Sequence, residues 1–297
     1  MPSNLFSIFI LCGSILLTSC TSLEFSRHEV SFKPPIPMYE KVNIALVLGG
    51  GGSRGLAHVG VIEELLAAGI HPDLIVGCSA GAIVGGLYAD TPDIERIKKL
   101  LINKKREHLL DLSIEHLPYG VSSGLFLRKF LSEHLKAKCF NELTIPFAAV
   151  ATNLEFGDMV TFGTGDLMPA IRASSAYPGV FLPVRIAGQY FVDGGVSNPV
   201  PVEAARNLGA KFVIAVDLSG ELTDTLPNHM FGVMRRSLEI SYIHQSRIAA
   251  ENANVLIKIP LKNIGTFDDE ANAYIYNLGR EAGRKAIDEI KRKLKLA

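Results

Sequence analysis

The 297-residue chain carries no surplus charge of either sign: 30 Lys and Arg are balanced by 30 Asp and Glu. Nothing in that balance favours a nucleic-acid partner or a strongly acidic substrate. Cysteine is scarce, and of the 4 present only Cys78 and Cys139 lie outside the first twenty residues. A cross-linked scaffold is therefore excluded, and a disulfide between these two is not expected, because Cys78 sits inside a tight apolar turn and packs as a small hydrophobe. No Walker lysine follows the glycine-rich stretch, no internal repeat is visible, and no second hydrophobic core with its own linker breaks the chain. The apolar run Leu5–Ser19 is too short to span a bilayer comfortably as a helix. With 48% hydrophobic residues, a large buried core is available.

Leu5–Ser19 has the length of a signal-peptide core and ends in Leu17-Thr18-Ser19-Cys20. This ending resembles the lipobox of bacterial lipoproteins. The resemblance implies a signal peptide over residues 1–19, a lipid on Cys20 and a periplasm-facing protein held at a membrane surface, with Thr21 favouring the outer membrane. Residues 1–4 contain no Lys or Arg, so an uncleaved apolar anchor stays open as the alternative. Residues 20–38, punctuated by Pro34, Pro35 and Pro37, read as an extended tether, and a single domain follows from residue 39 to 297.

Within that domain short apolar runs alternate with amphipathic stretches. Ile44–Leu48, Leu74–Val76, Phe147–Thr152, Phe212–Val216 and Val255–Ile259 read as strands covered on both faces. Helices are expected through Val61 and Leu65 up to Gly69, over 92–105 with Thr91 as cap and Pro92 in the first turn, over 124–137, over 230–253 and over 268–295. The alternation predicts an α/β fold, a three-layer sandwich with a mostly parallel central sheet.

Three motifs carry chemistry. Gly77-Cys78-Ser79-Ala80-Gly81 stands between a strand and a helix, the setting of a nucleophile elbow that holds the Ser79 oxygen out at a helix N-terminus. A Cβ at either glycine would strike the neighbouring strand or helix. Gly49–Gly55 follows the first strand, so the amides of Gly50, Gly51 and Gly52 are candidates for an oxyanion hole beside Ser79. Arg54 adds positive potential there or fixes the loop. The same stretch contains Gly50-x-Gly52-x-x-Gly55, a dinucleotide-binding spacing, but the acidic residue expected at the end of the second strand is replaced by the elbow. Phe191-Val192-Asp193-Gly194-Gly195 ends a short apolar strand in a carboxylate, and Asp193 becomes a useful base if it is desolvated and bonded to the Ser79 hydroxyl.

Together with Ala173–Val184, these blocks resemble the patatin-like phospholipase family in their order along the chain, from Lys41 to at least Asp217. The resemblance implies a serine acylhydrolase of phospholipase A or lysophospholipase type. Ser79 would be its nucleophile, Asp193 its base, and the Gly50–Gly52 backbone its oxyanion site. It implies no third catalytic residue, metal or cofactor, and lipid acyl esters as substrates. Two alternatives remain. An α/β-hydrolase triad would need His229 or His244, the histidines downstream of Asp193; a lipid-tethered binding protein would need no turnover. Two basic clusters, Arg96, Lys98, Lys99, Lys104, Lys105 and Arg106, and Arg284, Lys285, Lys291, Arg292, Lys293 and Lys295, are solvated helix faces or docking sites for anionic lipid. Ser219–Gly232 reads as a surface loop or an edge of the site.

Overall fold

The computed structural model describes residues 23, 28–37, 39, 41–103, 108–113, 117, 119–266 and 271–295. The signal-like segment, Cys20, Lys104, Lys105 and Arg106 lie outside the described residues. In chain order the strands are β1 (Ile44–Leu48), β2 (Leu74–Cys78), β3 (Gly120–Ser122), β4 (Phe147–Asn153), β5 (Met159–Phe162), β6 (Gly179–Phe181), β7 (Val184–Ile186), β8 (Gln189–Asp193), β9 (Phe212–Asp217) and β10 (Val255–Lys258). The helices are α1 (Leu56–Ala67), α2 (Ala80–Asp90), α3 (Ile94–Ile102), α4 (Leu125–His134), α5 (Leu167–Ser174), α6 (Val202–Asn207), α7 (Met230–Ala250) and α8 (Asn272–Leu294).

The main sheet runs β10-β9-β1-β2-β4, with every neighbouring pair parallel. Side chains alternate between its faces, and both faces are covered. Leu46, Leu48, Ile75 and Ile214 join one core with α1, α2, α5 and α8, while Ala45, Val47, Val76 and Val213 join a second with α6 and the end of α7. This is the expected three-layer sandwich. Each large side chain fully buried in these layers contributes about 1.5–3 kcal/mol.

The strand β4 has a second job. Its residues 149–152 pair with β5 along one edge, so β2 (opposite 147–150) and antiparallel β8 (opposite 151–153) must share the other. They approach C-terminus to C-terminus along that edge, Cys78 opposite Val150 and Asp193 opposite Ala151. The residue after one strand and the last residue of the other are thereby delivered to one point.

One local expectation changes. The cap of α3 is Asp93, whose carboxylate accepts the Arg96 amide at 2.9 Å; the helix starts only at Ile94, so Thr91 stands two residues ahead of the capping position. Within the stretch read as an extended tether, residues 28–37 touch the domain: the Phe32 amide donates to Gln189, Gln189 donates to the Val30 carbonyl, and the Phe32 ring meets Phe191 edge-on.

Candidate active site

Ser79 has φ 53° and ψ −120°, a left-handed conformation held between β2 and α2. Such geometry costs roughly 1–3 kcal/mol in a non-glycine residue and persists only when its surroundings enforce it. The glycines on either side make the turn possible. A Cβ on Gly81 would overlap the Leu48 carbonyl, and one on Gly77 would lie 2.5 Å from the Ala82 Cα. Two serines from the end of α5 pin the turn from the other side. Ser174 Oγ accepts the Ser79 amide at 3.0 Å and donates to the Val150 carbonyl, while Ser175 Oγ donates to the Ser79 carbonyl at 3.1 Å. The proline-containing block thus acts as a brace for the elbow, a role its sequence does not announce.

The Ser79 hydroxyl donates to Asp193 Oδ2 at 2.6 Å. Asp193 is fully buried, and its other oxygen accepts the Gly195 amide at 2.8 Å and, at 3.5 Å, the Tyr242 hydroxyl. Burial raises the carboxyl from 3.8 to about 6, against the opposing pull of these donors. Tyr242 reaches the site from α7, and its ring leaves no space for a Cβ on Gly195. Distance in sequence hid this residue; its place in an amphipathic helix carries no signal of a polar contact. Cys78 stays a buried, protonated thiol, pushed up by burial and the nearby carboxylate.

The glycine loop lies against the elbow, with the ideal Cβ position of Gly50 3.4 Å from the Ser79 Cβ. Its amides divide differently from the expectation of three converging donors. The Gly50 amide is used by the Pro199 carbonyl at 2.9 Å, and among the described residues no backbone acceptor takes the amides of Gly51 or Gly52. The loop is anchored by two buried side chains. Arg54 donates to the carbonyls of Ile264, Leu218 and Ser219, so it acts as a carbonyl-bound brace joining three segments. His58 Nε2 bonds the Gly49 carbonyl at 2.8 Å, and burial lowers its imidazole to about 4, which keeps it neutral.

Ser79 opens into a cavity of about 150 Å³ whose walls are mainly apolar, among them Leu56, Ile83, Val84, Leu109, Leu127 and Phe181. His229 caps α7 by accepting the Gly232 amide, and His244 is exposed on the same helix; Asp193 bonds neither. The triad alternative therefore lacks its histidine. Among the described residues no group of His, Cys, Asp and Glu has the arrangement of a metal site.

The profile of the patatin-like phospholipases matches residues 46–206, which includes the glycine loop, the elbow and Asp193. The chain belongs to the patatin-like phospholipase family. Similar relatives include a patatin-like phospholipase domain-containing protein of Caenorhabditis elegans, 30% identical over 83% of this chain and 21% of its own length. An NTE family protein of Mycobacterium tuberculosis is 37% identical over 60% of this chain and 49% of its own. Patatin-like phospholipase domain-containing protein 6 of Homo sapiens is 34% identical over 60% of this chain and 13% of its own. The chain therefore spans half or less of these patatin-like relatives. The crystal structure of VipD from Legionella pneumophila shares the fold, with a TM-score of 0.56 at 15% identity over 89% of this chain and 72% of that one.

Proposed function

We propose that this protein is a serine lipid acylhydrolase of phospholipase A or lysophospholipase type, working through Ser79 and Asp193. The observation that carries the reading is the 2.6 Å bond from Ser79 Oγ to a buried carboxylate at the wall of an apolar cavity. A carboxylate raised to about 6 is still ionised at neutral pH yet basic enough to take a proton. Asp193 removes the hydroxyl proton as Ser79 Oγ attacks the ester carbon, and the acyl chain lies along the cavity. Charge then develops on the carbonyl oxygen, where the Gly51 and Gly52 amides and the N-terminus of α2 supply positive potential. One such donor is worth about 3–4 kcal/mol at the transition state. The proton on Asp193 passes to the leaving alcohol or lysolipid, and Asp193 then activates water against the acyl-enzyme.

Ser79→Ala and Asp193→Asn are each expected to abolish release of fatty acid from phospholipid, measured by mass spectrometry, while circular dichroism stays unchanged. Either variant turning over near the wild-type rate refutes the assignment. Attachment through Cys20 to a periplasm-facing membrane belongs to the same proposal and is supported by Leu17–Cys20 alone. Its test is the mass of the N-terminal peptide, which carries acyl chains on Cys20 if the proposal holds.

A further inference from the structure

The cavity beside Ser79 is rimmed by apolar side chains that face water. Leu109, Leu110, Leu127 and Phe181 wall the cavity. Their neighbours along the chain, Leu112, Leu125 and Phe126, are exposed. The carboxylate of Asp111 ties this part of the rim together by accepting from Ser122, Ser123 and the Phe126 amide. The Phe231 ring comes within 3.3 Å of the ideal Cβ position of Gly179, which opens the same short strand β6 that ends in the cavity-wall residue Phe181, so the start of α7 lies beside this rim. There Met230 is 80% exposed and Met234 57%, with Val233 between them at helical spacing on the same face.

Contiguous exposed apolar surface around a cavity mouth marks a surface that meets an apolar partner. A protein seated on this rim would close the cavity to substrate. A lipid bilayer seated there removes the same surface from water and leaves the cavity open to acyl chains. We infer that the rim formed by Met230, Phe231, Val233, Met234, Leu112 and Phe126 docks into the acyl layer of a phospholipid bilayer, so that the substrate chain passes from membrane to cavity without crossing water. This rests on the reading of the cavity as the acyl site. Apolar insertion of this kind is insensitive to salt, unlike docking through the basic clusters.

The chain contains no tryptophan, so one introduced residue reports alone. In a Ser79→Ala background, which leaves the lipid intact, Met230→Trp is expected to shift its emission to the blue on addition of phosphatidylcholine vesicles. Bromine-labelled acyl chains should quench it, equally at low and high salt. Ile248→Trp, roughly 27 Å further along the same helix at ~1.5 Å per residue, is exposed and should do neither. In the active enzyme, Met230→Asp with Met234→Asp should lower turnover of vesicle phospholipid by roughly a hundredfold or more, the loss expected from withdrawing two methionine side chains from the acyl layer, and leave a soluble short-chain ester unaffected. An unquenched tryptophan at position 230, or quenching that salt abolishes, overturns the docking proposal. A wild-type protein that cleaves neither substrate refutes the hydrolase reading instead, and the fluorescence still decides docking.

Discussion

Burial of Asp193 lifts its carboxyl from 3.8 to about 6, and the proposed base works only when ionised. Activity should therefore fall about tenfold per pH unit below that value, read from the acid limb of kcat/KM on a soluble ester. The same shift bears on stability. Because the folded value lies above the unfolded one, the cost of ionising Asp193 in the fold is absent below pH 3.8 and complete above about 6. On the order of 3 kcal/mol is involved, so Asp193→Asn should be the more stable protein in denaturant melts at pH 8 and lose that advantage at pH 4. Ser79 carries a second local cost in its left-handed backbone. Both Ser79→Gly and Ser79→Ala lose the bond to Asp193, but only glycine relieves the backbone. The glycine variant should be more stable than the alanine one by about 1–3 kcal/mol in the same melts.

At the level of elements, the parallel strands were legible because strands covered on both faces read as continuous apolar runs, as in Phe212–Val216. The direction of β8 was not. Phe191–Asp193 has the same apolar character in either orientation, and only pairing with β4 makes it antiparallel and points Asp193 at Ser79. The small β3–β6 pair was equally hidden, since three-residue strands have no period to read. Helix contacts depend on glycines whose role also appears only on packing. A Cβ on Gly279 of α8 would overlap the Ala57 carbonyl of α1, and one on Gly60 would lie 2.6 Å from the Arg280 amide. Gly279→Ala should therefore force the two helices apart and cost about 1–3 kcal/mol, visible as a lower melting temperature.

Across the whole molecule, the candidate site is assembled from stretches that only the complete fold brings together. Ser79 and Asp193 were legible because each closes a strand in a glycine-flanked turn, a local signal. Which loop amides remain available was not legible, since the Gly50 amide is taken by Pro199 from a distant turn. Nor was the part played by Arg54, which joins the glycine loop to Leu218, Ser219 and Ile264. The chemistry proposed for this molecule centres on Ser79 as the nucleophile that Asp193 activates. The most direct test is reaction with a fluorophosphonate followed by peptide mapping and rate measurement against pH. A single adduct on Ser79 is expected in the wild type, formed more slowly as pH drops below about 6 and nearly lost in Asp193→Asn. An adduct on another residue, or labelling of Ser79 at an unchanged rate without the Asp193 carboxylate, would contradict it.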